Sequence, residues 1–151
     1  PHGNIFVTSE KPISDKFHKY VLKINPNHIH TVLSGAKIYI GDSQSMAVES
    51  ALLGTPGIRF NDFTNQIGVL NELEKKYGLT KGIAANDREK LYQIVREMIQ
   101  VKDLKMRHRE KLNKLLQDKI NACDFFVWYI KNYPQSKKIH SEQPQFQYKF
   151  Q

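Results

Sequence analysis

The stretch Ala36-Lys37-Ile38-Tyr39-Ile40-Gly41, then Asp42-Ser43-Gln44, then Ser45-Met46-Ala47-Val48-Glu49-Ser50-Ala51-Leu52-Leu53-Gly54, then Thr55-Pro56-Gly57-Ile58-Arg59-Phe60, reads as strand, polar turn, helix and strand. The first and last runs are short and rich in strand-forming side chains, and Gly54 stops the helix between them. A strand that returns through a helix pairs in parallel with its successor.

Working outward, the alternation continues. Gln66 to Tyr77 carries Ile67, Leu70, Leu73 and Tyr77 on one helical face, with Gly78 at its end, and Gly82-Ile83-Ala84-Ala85 predicts a fourth strand. Asn86 and Glu89 form a capping-box-like pair ahead of a helix with the apolar stripe Leu91, Ile94, Val95 and Met98. Upstream, Asn4-Ile5-Phe6-Val7-Thr8 predicts the first strand, closed by Ser9-Glu10-Lys11-Pro12. Asn25-Pro26 then starts a short helix that ends at Gly35. From Leu104, apolar residues at helical spacing run to Tyr133-Pro134, predicting one long or kinked arm with Cys123 on its apolar stripe. Residues 135 to 151 form a polar tail, surface-hugging or flexible. The expected fold is α/β, a Rossmann-like parallel sheet with a carboxy-terminal helical arm, residues 1–133 forming the domain and 134–151 the tail.

Composition narrows the function classes. The chain has 151 residues, 40% apolar and 25% charged, ordinary values for one globular domain. No apolar run approaches the roughly 20 residues of a membrane span, and the first residues lack the regions of a signal peptide, so the expected location is the cytoplasm. A strand-like run close to a first residue that is not Met suggests a chain cut from something longer, lacking an amino-terminal part. One cysteine makes neither an intramolecular disulfide nor a zinc site, and His28-x-His30 projects its two rings to different sides of a helix, so no metal is expected. The net charge of +8 is spread along the chain rather than gathered in one block, which disfavours a nucleic-acid arm.

In parallel sheets, ligands bind beyond the carboxyl ends of the strands, which directs attention to the loop from Gly41 to Ser45. Small hydroxyl side chains and unpaired amides at a helix amino terminus make a natural anion site, where a phosphate could rest on Ser43, Gln44 and Ser45. Glu49 lies one turn further on the same face, placed to accept hydrogen bonds from sugar hydroxyls. The competing account is a plain serine cap followed by a solvated glutamate. Arg59 and Asp62, just past the third strand, either face the same cleft or, for the arginine, pair with a carboxylate.

The block Asp42-Ser43 … Glu49 … Leu53-Gly54-x-Pro56 resembles the carboxy-terminal-domain motif of the UDP-N-acetylglucosamine 2-epimerases and related GT-B glycosyltransferases. It resembles more closely the DUF354 family of GT-B-like proteins, on Gly41-Asp42-Ser43-Gln44-Ser45-Met46-Ala47, Glu49, Leu53-Gly54-Thr55-Pro56 and Arg59, with Thr8-Ser9-Glu10 as a further counterpart. The likeness spans roughly residues 4 to 133. It implies the carboxy-terminal domain of a GT-B fold, with Ser43 and Ser45 lining a diphosphate site, Glu49 holding ribose hydroxyls, and Ser9 and Glu10 near the cleft. The implied ligand is a nucleotide sugar, UDP-linked by the epimerase likeness, used in polysaccharide assembly. The implied partner is a missing amino-terminal domain, and no further cofactor is expected. Gln44 and Ser45 stand where the epimerases carry two glycines, and Asn61-Asp62-Phe63-Thr64-Asn65-Gln66 replaces another epimerase segment, which weighs against epimerase chemistry. A non-catalytic binding or assembly module on the same fold is the alternative function, and a basic nucleic-acid-binding domain a more distant one.

Overall fold

The computed structural model describes residues 3–63 and 67–151. Its centre is a three-stranded parallel sheet in the order β1 (Tyr39–Gly41), β2 (Gly57–Phe60), β3 (Thr80–Ile83). Tyr39 pairs with Gly57, and Gly57 in turn with Thr80, so the three strands start level and end at one edge. Helix α2 (Gln44–Leu52) connects β1 to β2, and α3 (Gly68–Lys75) connects β2 to β3. The alternation expected between residues 36 and 83 is therefore present, with Gln66, the expected start of the second connecting helix, outside the described residues.

Side chains alternate across a strand, and β2 shows what each face meets. Ile58 packs with Ile83 of β3 and Ile94 of α4 (Arg88–Gln100), with Leu91, Val95 and Met98 at the margin. On the other face, Gly57 lies directly against Ala47 and Ser50 of α2. There Ala51, Leu70, Leu73, Tyr77 and Leu79 form the second core cluster with Leu115 of α5 (Leu104–Asp118). The sheet is thus covered on both faces, which an all-parallel sheet requires. Gly54 ends α2 with φ 73°, a backbone angle that any side chain would strain.

Several expectations are corrected. Asn4–Thr8 is no strand of the sheet: among the described residues it pairs only through Val7, which bridges to Val21, and Ile5 and Phe6 lie exposed. The sheet accordingly has three strands rather than four. Helix α4 is capped by Asp87, whose carboxylate accepts from the Lys90 amide, one residue after the expected Asn86. Asn25 accepts from the Asn27 amide as an N-cap should, but Pro26–His28 is a 3-10 turn that passes into α1 (Ile29–Gly35).

The carboxy-terminal arm is two helices, α5 and α6 (Ala122–Lys131). Its break coincides with Asn121, whose side chain accepts from the amides of Cys123 and Asp124 and starts a new helix. Cys123, expected on the apolar stripe of the arm, is exposed. The tail is ordered, as α7 (Gln135–Glu142) and a 3-10 helix, Pro144–Phe150. Phe146 stacks on Trp128 at 4.7 Å between ring centres, and Phe150 meets Phe125 edge-on at 5.6 Å. These aromatics close a small cluster of their own, while Phe126 stays exposed on the outer side of α6.

Candidate functional site

The amino terminus of α2 stands at the carboxyl end of β1, where the topology of a parallel sheet puts a ligand. Ser43 is its N-cap: the backbone is extended there (ψ 125°) and Oγ accepts from the Met46 amide at 3.3 Å. Ser43 Oγ and Ser45 Oγ are 3.2 Å apart, so the two hydroxyls share a hydrogen bond across the first turn. With the Met46 amide engaged by the cap, the amides of Gln44 and Ser45 remain as first-turn donors. The loop is anchored from below by Asn61, whose Nδ2 donates 2.8 Å to the Asp42 carbonyl while its own amide donates to Ile83. One asparagine thereby fixes the ends of all three strands relative to one another.

Glu49 is placed one turn into α2, but its Oε2 is held by His30 Nε2 at 3.1 Å, a contact from α1. One carboxylate oxygen is engaged by that contact. Tyr39 belongs to the same group of residues. Its phenol is pushed up to about 12, by burial first and by the Asp42 and Glu49 carboxylates next, so it stays a hydrogen-bond donor at any physiological pH. A Cβ on Gly41 would overlap that phenol, so glycine at the end of β1 is what lets the ring lie across the strand. The site therefore combines helix amides, two serine hydroxyls and a neutral phenol with two carboxylates and one imidazole. The helix end contributes partial positive charge there.

Arg59, Asp62, Ser9 and Glu10 are the remaining candidates. Arg59 is 0% exposed, and its Nη2 donates 2.7 Å to Glu74 Oε2, an oxygen that also accepts from the Gly82 amide at 3.0 Å. The side chain lies on the face of the sheet that α2 and α3 cover and bonds to α3. This is the carboxylate pairing of the two expected alternatives, not the cleft position. Asp62 is exposed in the loop after β2. Ser9 hydrogen-bonds within its own turn, donating to the Lys11 carbonyl and accepting from the Lys11 amide, and Glu10 beside it is exposed. Of the sequence-derived set, the structure brings together Ser43, Gln44, Ser45 and Glu49, and adds His30, Tyr39 and Asn61.

His30 and Tyr39 had no local signal: one sits 19 residues before its partner, and the other looks like any strand aromatic. Among the described residues, no three His, Cys, Asp or Glu side chains gather as a metal site. No described helix is long and apolar enough to cross a membrane. Two clefts open away from the α2 terminus. One is a broad groove along α4, and the other, of about 270 Å³, lies at the amino ends of β2 and β3. In comparisons with known proteins, the chain matches no family model, no curated protein and no solved structure.

Proposed function

We propose that this domain is the nucleotide-sugar-binding half of a glycosyltransferase-like protein, taking the donor's phosphates at the amino end of α2. The observation that carries the proposal is the Ser43 cap at the carboxyl edge of a parallel sheet, with Ser45 hydrogen-bonded to it and Glu49 one turn inward. Phosphate oxygens would take the amides of Gln44 and Ser45 and the serine hydroxyls, a geometry that suits an anion without any lysine or arginine. The second oxygen of Glu49 would accept from a ribose hydroxyl, and His30 would hold that carboxylate in place. The short sheet also suits a domain that works against another: β1 is an edge strand, and Ile40 on it is 46% exposed. An amino-terminal domain would bring the acceptor and any catalytic acid or base, so this part alone would bind without turnover.

One observation favours the second function, a binding or assembly module without transfer chemistry. Asp42 and Glu49 both bear on Tyr39 beside the cap, and two carboxylates oppose a diphosphate. Calorimetric titration with UDP, GDP, CDP and TDP, against inorganic phosphate, separates the two. Selective binding of one nucleoside diphosphate that is lost in Glu49→Ala supports the donor site. Absence of binding to all four, in this chain and again in a protein that includes the amino-terminal domain, refutes it.

A further inference from the structure

The cleft at the other end of the sheet combines apolar and cationic side chains. It is walled by the first residues of β2 and β3, the end of α4 and one face of α5. Its floor is apolar, built by Leu79, Met98 and Leu104 among others, while its charged lining is Lys81, Arg107 and Lys111 with His108, and no carboxylate lines it. None of these three cations takes part in an ion pair among the described residues. Lys111 spends one donor on the Gly78 carbonyl at 3.0 Å. Burial, then the charges of Lys81 and Arg107, hold its ammonium below the ordinary lysine value. Three like charges around one cleft repel one another, and a bound counter-charge would relieve that repulsion.

One buried polar group of the lining also lacks a protein partner. Thr80 is 2% exposed, and its hydroxyl makes no hydrogen bond. His108 beside it is 6% exposed, and its Nδ1 donates to the Leu104 carbonyl at 3.2 Å. A buried polar group without a partner is costly, and clefts of this kind, an apolar floor with a few convergent polar groups, are how small-ligand sites are built.

We propose that this cleft binds a small phosphate monoester carrying an apolar group, at a site separate from the amino end of α2. The phosphate would sit among Lys81, Arg107 and Lys111, and the apolar group would cover Leu79, Met98 and Leu104. The three cations supply several donors to one phosphate, and charge-assisted hydrogen bonds to phosphate are the strong kind.

The test is calorimetric titration of the full chain with phenyl phosphate, inorganic phosphate and benzyl alcohol. Phenyl phosphate is expected to bind saturably and about tenfold more tightly than inorganic phosphate, as burial of an aryl group implies. Lys111→Met and, independently, Arg107→Gln should each weaken it by about tenfold. Lys114→Met, on the same helix but outside the cleft, and Glu49→Ala, at the other end of the sheet, should leave it unchanged. Lack of saturable binding, or an equal loss in Lys114→Met, overturns the site. Phenyl phosphate binding no better than inorganic phosphate overturns the role of the apolar floor.

Discussion

His30 Nε2 and Glu49 Oε2 meet at 3.1 Å, joining α1 to the first turns of α2 beside the Ser43 cap. The two side chains are 63% and 39% exposed, so water screens the pair and its worth to folding is small. Its importance would lie in aiming the carboxylate. His30→Ala is expected to shift the unfolding midpoint by no more than about 4 °C. If Glu49 holds a ribose, the same variant should weaken nucleoside diphosphate binding by several-fold, and Glu49→Ala should abolish it. Affinity that is untouched in both variants would return Glu49 to the role of a solvated helix residue.

Arg59 and Glu74 make the opposite kind of pair. The guanidinium is fully buried, two of its nitrogens, Nε and Nη1, lack partners, and Glu74 supplies its counter-charge. Removing one member of a buried pair leaves an uncompensated charge, so Glu74→Ala should cost about 3–5 kcal/mol. Replacing both, as in Arg59→Met with Glu74→Ala, should recover most of that loss, since the pair itself gains little over apolar packing. Urea denaturation of the single and double variants measures both quantities. A double variant as unstable as Glu74→Ala alone would show that Arg59 carries more of the fold than its charge partner.

His108 makes stability depend on pH. Burial first and the Lys111 charge second hold its imidazole below the ordinary histidine value, against a smaller opposing effect of the Leu104 carbonyl. Charged groups also come from β3 (Lys81) and from Arg107 on α5 itself, and all are cations. As pH falls through about 6.5, the unfolded chain takes up a proton that the folded chain still refuses. The unfolded state then binds more protons, so stability declines as pH falls through that window and is fully present above it. His108→Gln should flatten this slope, losing less stability than the parent between neutral pH and pH 5. Parallel stability curves for the two proteins across that range would remove His108 as the titrating group.

What was legible in the sequence was what local chemistry determines. The run from Ala36 to Phe60 announced strand, cap, helix and strand because each boundary is marked by a residue with a local role, Ser43 at the cap and Gly54 at the stop. The α4 cap shifted from Asn86 to Asp87 because either side chain accepts from an amide three residues on, and sequence does not rank them. Asn4–Thr8 failed for a different reason: strand-forming side chains do not make a strand without a neighbour. The His30 contact to Glu49, the Asn61 bond to Asp42 and the Glu74 bond to Arg59 all join residues far apart in the chain, where periodicity is silent. The helices of the tail were not legible because its aromatics, Phe146 and Phe150, are sparse in a polar segment. They acquire meaning only when Trp128 is seen beneath them.

Trp128 is the single tryptophan of the chain, and it lies in the cluster that α6, α7 and the last 3-10 helix form with one another. Its emission therefore reports that cluster, while circular dichroism reports the whole chain. The stack with Phe146 joins the tail to α6, and deleting a half-buried aromatic of this kind costs about 1–3 kcal/mol. Phe146→Ala should accordingly move the fluorescence transition in urea to lower denaturant, while the dichroism transition, dominated by the sheet and α2 to α5, stays near its original midpoint. Separation of the two probes would mark the carboxy-terminal cluster as a unit that opens on its own. Coincident transitions that move together would instead mean that α6 and the tail are held by the same cooperative core as Ile58 and Leu73. In that case, the break at Asn121 is a bend within one folding unit.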